Sequence, residues 1–227
     1  MRVLTWNLKH GRAVPSAGHD LFDDFLAALG GWDWDLGLLQ EVPPWWPSSL
    51  GDRLAADARL VLTSRNALLR VRRAIAERWP DAIKSNGGGA NAILVRGDRI
   101  VDHRVRRLCV WPERRWLHAV RLRDAGIWVA NVHCGGPARD ARLAGETALR
   151  WAGEAPVVFG GDFNIRGLTL DGFACAAAHD VDYVFVRGLR AVSGAEVLDR
   201  GRLSDHAPVA VTIAPAPAPG SPAEPSP

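Results

Sequence analysis

Lysine is scarce in this 227-residue sequence: Lys9 and Lys84 are the only two, and arginine carries nearly all of the positive charge. The net charge is only +3. Arginine suits bidentate contacts with phosphate. A biased base composition of the genome is, however, the simpler explanation of the large total number of arginines. The distribution is more informative, because nine arginines against three acidic residues lie between Arg96 and Arg123. This local basic stretch is suited to face a polyanion.

Cysteine is also scarce, and Cys109, Cys134 and Cys175 are odd in number without metal-ligand spacing. We interpret them as free thiols in a reducing compartment. The N-terminal MRVLTWNLKHG has no apolar core or cleavage site of a signal peptide. No run approaches the roughly 18 apolar residues that a membrane span needs. The sequence therefore predicts a cytoplasmic protein without a membrane span, and nothing in it indicates an obligate protein partner.

Low sequence complexity is confined to APAPAPGSPAEPSP at residues 214–227, which predicts a disordered Pro/Ala/Ser-rich tail. No linker or internal repeat precedes it. Residues 1–213 are therefore predicted to form one domain, and this length can bury a substantial core.

Strand-like and helix-like segments alternate along this domain. Helices are predicted around Leu21–Leu29, around Leu68–Trp79 and from Pro137 to about Trp151. Four strand candidates, 91–96, 100–110, 116–123 and 127–133, follow one another without a helical pattern between them, which predicts an antiparallel meander. The further predicted strands are 2–8, 36–39, 157–162, 181–187 and 207–213. Together these elements indicate an α/β sandwich with two packed sheets.

The segment VVFGGDFN, residues 157–164, passes from apolar residues to a carboxylate and an amide. Val157 to Phe159 suit a buried strand. If the extended conformation persists, Asp162 and Asn164 point to the same side, at the rim of a sheet. An Asp/Asn turn between two strands explains the segment equally well.

Other predicted strands also end at, or begin from, polar residues. Side chains with oxygen ligands or imidazoles dominate these positions. Turns do not readily explain so many polar residues at strand ends. Carboxylates with an amide suit a hard divalent cation such as Mg²⁺, which retains waters for phosphate substrates. The residues in question are Asn7, Glu41, His133, Asp162, Asn164, Asp182, Asp205 and His206.

The motifs TWNL, LLQEV, NVH, GGDFN, VDYVFV and SDHAPV, from Thr5 to Val209, resemble those of the endonuclease/exonuclease/phosphatase superfamily in order and approximate spacing. Its members include deoxyribonucleases, apurinic endonucleases, sphingomyelinases and inositol polyphosphate phosphatases. The resemblance implies a four-layer α/β sandwich, with two mostly antiparallel mixed sheets face to face and helices outside.

The resemblance also implies roles for the polar residues. Asn7, Glu41 and Asp205 match metal-binding positions, for Mg²⁺ with Mn²⁺ as a substitute. Asp162 matches the carboxylate that orients or deprotonates the attacking water. Asn164 and His133 match phosphate contacts. His206 matches the imidazole beside the scissile phosphate, and Asp182 the carboxylate that orients it. In this interpretation Gly160 and Gly161 leave space for the phosphate.

The substrate is predicted to be a nucleic-acid phosphodiester, which makes the protein a metal-dependent endonuclease. The basic stretch supports this, since Arg104 with Arg106, and Arg121 with Arg123, share a face of a strand. The alternative is that these arginines form the solvated face of a sheet. The motif NVH disfavours an apurinic endonuclease. A phosphatase or phosphodiesterase on inositol phosphates or phospholipids stays open, as does a non-catalytic nucleic-acid-binding module.

Some further side chains are candidates for substrate contact. Trp45 and Trp46 are expected in a loop beside the metal, where they either stack on substrate or fold back onto the domain. Asn91 and Arg96 are placed near a glycine-rich loop as possible contacts. The remaining histidines have no motif and are interpreted as surface or incidental residues: His10, His19, His103, His118 and His179.

Overall fold

Two β-sheets pack face to face in the computed structural model, which describes residues 1–63, 66–80, 82–83 and 88–217. Within these residues the first sheet has seven strands. Its path is β11 (Leu189–Ala191), β13 (Val209–Pro215), β1 (Arg2–Asn7), β2 (Leu36–Val42), β4 (Ala90–Val95) and β3 (Asp57–Leu62), and β12 (Glu196–Val197) pairs with β13. The β1–β2 pair is parallel and the other pairs in this sheet are antiparallel.

The second sheet has six strands in the described part of the chain. Their order is β5 (Ile100–Cys109), β6 (Arg115–Leu122), β7 (Trp128–His133), β8 (Val157–Asp162), β10 (Asp182–Arg187) and β9 (Ala174–His179). Only β7 and β8 pair in parallel. Each sheet is therefore mixed and mostly antiparallel, as predicted.

Helices cover the outer faces of both sheets. Helices α1 (Phe22–Gly31) and α2 (Trp46–Arg53) pack on the first sheet, and α4 (Ala138–Ala152) packs on the second. Helix α3 (Leu69–Arg78) lies at the periphery, with only Ala76 of its residues buried. This arrangement confirms the predicted four-layer α/β sandwich.

The alternation of side chains along each strand explains the layers. In β1, Val3 joins the apolar cluster between the sheets, whereas Leu4 and Trp6 face the helices on the other side. In β8, Val158 faces the first sheet and Phe159 packs against the α4 layer. Because successive residues point to opposite faces, strands that are apolar throughout are the ones covered on both sides.

The predicted four-strand meander is wrong in its first member. Strand β4 pairs with β2 and β3 in the first sheet, and only β5, β6 and β7 form a meander in the second. All six residues of β4 are buried, which suits a central strand of either sheet, so the apolar run alone does not identify its partners. Five further elements were not predicted from the sequence: α2, β3, β9, β11 and β12.

The predicted start of the C-terminal tail is also wrong. Strand β13 continues two residues beyond 213, because Ala214 and Pro215 pair with Arg190 and Leu189. Pro215 lacks a backbone N–H but lies beyond the register with β1, where only β11 pairs with β13, so it has the position of an edge-strand residue. Residues 218–227 of the predicted tail lie outside the described residues. Among the described helices, none has the length and apolar character needed to cross a membrane.

Candidate active site

The predicted polar residues meet at one end of the sandwich, where strand ends from both sheets come together. His133, Asp162 and Asp182 are direct neighbours across β7, β8 and β10. Asn7 ends β1 in the first sheet, and its side-chain Nδ2 reaches Asp162 Oδ2 across the gap between the sheets, at 2.9 Å. The site therefore joins the two sheets.

Asp162 is at the centre of this cluster and is 1% exposed. Its Oδ2 accepts the Asn7 hydrogen bond and lies 3.4 Å from His133 Nε2, and its Oδ1 accepts the Asn164 backbone N–H at 2.9 Å. Burial, and then the nearby Asp182 carboxylate, raise the pKa of Asp162 to about 6. A carboxylate with this pKa is suited to accept a proton near neutral pH.

Asp182 and His206 form a carboxylate–imidazole pair beside Asp162. His206 Nδ1 lies 2.8 Å from Asp182 Oδ2, and His206 Nε2 is directed toward Asp162 Oδ2 at 3.8 Å. The Ser204 hydroxyl holds the segment in place, because it donates to the Asn7 carbonyl at 2.6 Å and accepts the His206 N–H at 3.1 Å. Burial opposes a charged imidazole, but the Asp182 hydrogen bond and charge outweigh it and raise the pKa of His206 to about 9.

Glu41 reaches the site from an irregularity in β2. The register of β2 against β4 shifts between Leu39 and Val42, and Glu41 has a positive φ of 49°. Such bulges redirect a side chain next to an active site. Glu41 Oε1 lies 3.9 Å from His133 Nδ1. Burial, and then the charge of Asp162, raise the pKa of Glu41 to about 7.

Both interpretations of the VVFGGDFN segment describe part of its structure. The strand delivers Asp162 to the rim of the sheet, and the bond from the Asn164 N–H to Asp162 Oδ1 closes an Asp/Asn turn. Asn164 has a φ of 54° and its Nδ2 donates to the Cys134 carbonyl at 3.0 Å. The extended conformation does not persist beyond Asp162, so a turn, and not strand alternation, places Asn164.

The explanation of Gly160 and Gly161 as space for a phosphate is wrong. A Cβ on Gly161, whose φ is 138°, would lie 1.9 Å from the Val132 carbonyl oxygen. A Cβ on Gly160 would lie 2.7 Å from Leu38 Cδ1 of the other sheet. Glycine is therefore needed here for strand and sheet packing.

The predicted metal ligands are in this region, although each also has a protein partner. Asn7 Oδ1 accepts the Lys9 N–H at 2.9 Å, and the exposed Asp205 carboxylate forms an ion pair with the Lys9 ammonium. The charges of Asp162 and Asp205 both raise the pKa of Glu41, so the carboxylates repel one another and a divalent cation would relieve the repulsion. The donor set fits such an ion.

A second group of possible ligand atoms comes from Asp162, Asp182 and His206, which lie within 4.8 Å of one another. The Asp182–His206 hydrogen bond already engages one atom of each of these two residues. Glu41, with Asn7 and Asp205 nearby, is for this reason the better centre for a cation.

Three residues of the site were not predicted from the sequence. Lys9 and His10 follow β1 in the left-handed conformation, with φ values of 48° and 55°. His10 Nε2 lies 3.2 Å from Glu41 Oε2, so its interpretation as incidental is wrong. Arg115, at the start of β6, is near enough that its charge lowers the pKa of His133, after the larger effect of burial. The only sequence signal was Gly11 directly after the two left-handed residues.

Two of the four arginines predicted to face nucleic acid, Arg104 and Arg106, contact other protein side chains. Arg104 pairs with Asp102 at 2.9 Å and lies over the Trp128 ring at 4.7 Å. Arg106 donates to the Thr147 hydroxyl of α4 at 2.8 Å. They share one face of β5, as predicted, but it is the face covered by α4.

Arg96 has a similar structural role, since its guanidinium lies 3.7 Å from the centre of the Trp34 ring. Trp46 is buried in α2 and Trp45 packs against the same apolar cluster, so both fold back onto the domain. Asn91 is fully buried in β4, which removes it from direct substrate contact. Gly87 of the predicted glycine loop lies outside the described residues.

The other histidines treated as incidental are located elsewhere. His103 and His118 contact each other edge to face across β5 and β6, with ring centres 5.6 Å apart, and His118 is fully buried. His19 is exposed and lies near the Ala17 carbonyl, and His179 ends β9.

The chain belongs to the Endonuclease/Exonuclease/phosphatase family, whose sequence pattern it matches over residues 4–206. It is a phosphoesterase of that family. The family is typically dependent on a divalent metal, in agreement with the donor set of the site. Among curated proteins, none matches the chain closely enough to count as a relative.

Solved structures show the same fold at low sequence identity. One is an endonuclease/exonuclease/phosphatase from Beutenbergia cavernae DSM 12333, with 21% identity, a TM-score of 0.69, and coverage of 96% of this chain and 72% of that one. Another is the mannosyl-6-phosphatase of Bacteroides thetaiotaomicron VPI-5482, with 16% identity, a TM-score of 0.69, and coverage of 94% and 99%. TDP2 from Caenorhabditis elegans has 16% identity, a TM-score of 0.63, and coverage of 95% and 75%.

Proposed function

We propose that this protein is a Mg²⁺-dependent endonuclease that hydrolyses nucleic-acid phosphodiesters by attack of water. The observation that carries the proposal is the position of the buried Asp162 carboxylate beside the hydrogen-bonded Asp182–His206 pair. A base and a cationic imidazole directed at the same space are suited to deprotonate the attacking water and to stabilise negative charge on the phosphate.

Each residue has a distinct task in this proposal. Asp162 orients the water and accepts its proton. His206, kept charged by Asp182, stabilises negative charge that develops on the phosphate. Asn164 and His133 contribute hydrogen bonds to phosphate oxygens.

The residues that would hold the cation are Glu41, Asn7 and Asp205. When bound there, a divalent cation supplies Lewis-acid stabilisation of charge on the phosphate. Activity should accordingly vanish in excess EDTA and return with Mg²⁺ or Mn²⁺, and full activity in the chelator would contradict the proposal.

A cleft beside the site supports a polymeric substrate. It has a volume of about 350 Å³ and extends from Gly135, two residues after His133, to Trp111 at the tip of the β5–β6 hairpin. The Trp111 indole is 83% exposed, and Arg115 lines the cleft. An exposed indole with a neighbouring guanidinium suits a stacked base and its phosphate. A small phosphomonoester has no base that could stack on the indole.

The test compares single- and double-stranded DNA and RNA with mannose 6-phosphate, inositol phosphates and sphingomyelin, each with Mg²⁺ and with EDTA. We expect cleavage of nucleic acid, a loss of activity in His206→Ala, and a raised KM for nucleic acid in Trp111→Ala. Trp79→Ala is the matched control, because Trp79 is also exposed (59%) but lies at the end of α3.

The alternatives are outcomes of the same assay. Hydrolysis of sugar, inositol or lipid phosphoesters with intact nucleic acid would leave the phosphoesterase chemistry and overturn the nuclease assignment. Binding of nucleic acid without hydrolysis of any substrate would indicate a non-catalytic module.

A further inference from the structure

We infer that His10 is an additional ligand of the divalent cation, through its Nε2 and together with Glu41. The inference rests on the metal dependence in the proposed function, and it extends the ligand set beyond Asn7, Glu41 and Asp205. It predicts a mixed nitrogen and oxygen site in place of one made only of oxygen donors.

The backbone holds His10 in position. Lys9, His10 and Gly11 all have positive φ, at 48°, 55° and 73°, and this turn directs the imidazole back toward the end of β2. The His10 N–H donates to the Glu41 carbonyl oxygen at 2.8 Å. The imidazole is mostly buried, at 16% exposure, and is fixed at both ring nitrogens.

The contact at Nδ1 determines the tautomer. Nδ1 lies 3.1 Å from the Gly88 carbonyl oxygen. A carbonyl only accepts hydrogen bonds, so Nδ1 carries the proton, and in the neutral imidazole Nε2 then presents a lone pair. A bond from one ring nitrogen to a backbone carbonyl is the usual way in which a metal-binding histidine is oriented.

That lone pair is directed at another acceptor. Nε2 lies 3.2 Å from Glu41 Oε2, and two lone pairs at this distance need a cation or a proton between them. Two ligands about 2.1 Å from a cation and at a right angle to each other are about 3 Å apart. The spacing of Nε2 and Oε2 therefore suits neighbouring positions on one ion.

The competing arrangement is a protonated His10 that forms an ion pair with Glu41. The two arrangements have opposite consequences for metal binding. If His10 is a ligand, it strengthens metal binding and its removal weakens that binding. If His10 forms an ion pair with Glu41, it competes with the cation, and its removal leaves Glu41 more available to bind the metal. An imidazole ligand also favours transition-metal cations over Mg²⁺.

The experiment measures Mn²⁺ and Mg²⁺ binding to the full chain by calorimetry, and the Mn²⁺ environment by pulsed EPR. We expect histidine ¹⁴N coupling to bound Mn²⁺ in the wild type and its loss in His10→Ala. Mn²⁺ affinity should fall by at least the roughly 10–100-fold that loss of an orienting partner costs, and Mg²⁺ affinity should fall less.

Two further variants make the result decisive. His19→Ala is the control, because His19 Nδ1 also lies 3.1 Å from a backbone carbonyl oxygen, that of Ala17. This variant should change neither the metal affinity nor the ¹⁴N coupling. His10→Gln retains a donor for Gly88 and should also lose the ¹⁴N coupling, so it serves if His10→Ala does not fold.

Unchanged or tighter Mn²⁺ binding in the His10 variants, or persistent ¹⁴N coupling, would overturn the inference. If the wild type still cleaves nucleic acid with Mg²⁺ in that case, the proposed function stands without His10 as a ligand. If the wild type binds neither cation and is active in EDTA, the metal dependence in the proposed function and the inference about His10 are both wrong.

Discussion

The Asp182 carboxylate and the His206 imidazole share a hydrogen bond of 2.8 Å between residues that are 24 positions apart in sequence. Asp182 is buried at the start of β10, and His206 precedes β13 of the opposite sheet. The bond crosses between the sheets and leaves His206 Nε2 directed at the space beside Asp162. The two residues therefore act as a unit whose orientation depends on the packing of the sandwich.

Removal of this unit should give non-additive losses of turnover. His206→Ala should lower kcat by about 10²–10³-fold, the scale for one preorganised transition-state contact. Asp182→Ala should lower kcat with little change in KM, because it acts through His206. The double variant should be scarcely slower than His206→Ala. Asp180→Ala is the control, since Asp180 pairs with Arg166 at the surface. Additive losses would assign Asp182 a separate role.

The metal-free protein should lose stability as the pH rises above about 6.5. The folded state raises the pKa of Glu41 to about 7, of Asp162 to about 6 and of His206 to about 9. Below about pH 6.5 the lowered pKa values of the buried His118 and His133 oppose this effect. Above that pH the folded state binds more protons than the unfolded state, so stability decreases with increasing pH. The contribution of His206 is complete below its unfolded pKa of about 6.5 and is lost as the pH rises through about 9.

Thermal unfolding in EDTA between about pH 5 and pH 9 checks this expectation. The midpoint should fall between about pH 6.5 and pH 9, and His206→Gln should flatten this part of the profile. His19→Gln is the matched control, because His19 is an exposed histidine outside the site. A midpoint that rises with pH above about 6.5 in the wild type would contradict the shift assigned to His206.

Gly161→Ala should destabilise the fold. The added Cβ would overlap the Val132 carbonyl, and the φ of 138° is unfavourable for alanine. Backbone strain of this kind costs about 1–3 kcal/mol and overpacking a similar amount. Gly194→Ala, where a Cβ meets no atom within 4 Å, should be nearly neutral. Denaturant unfolding measures both, and equal stability of the two variants would refute the packing explanation.

The salt dependence of nucleic-acid binding should depend on Arg115 and not on Arg104 and Arg106. One lost phosphate contact reduces the log–log slope on duplex DNA by about 0.9, which is the change expected for Arg115→Ala. Replacing Arg104 and Arg106 together should leave the slope unchanged, because they lie against Trp128 and Thr147 and do not line the cleft. The opposite result would restore the basic stretch of the sequence as the binding surface.

The sequence by itself determined the family, the four-layer architecture and the set of polar residues at the strand ends. Strand ends such as Asp162 and Glu41 are visible because an apolar run stops at a charged residue, and that pattern is local. The order of the motifs along the chain then restricts the fold.

Only the tertiary structure decided which strands pair and which side chains meet. Strand β4 is apolar on both faces, so its sequence is compatible with either sheet. His10 carries no motif, and it reaches Glu41 because three consecutive residues adopt the left-handed conformation. Arg106 and Arg115 belong to one basic stretch, yet one contacts α4 and the other lies beside the site. Contacts between distant segments depend on how the sheets pack, and local patterns in the sequence do not encode that packing.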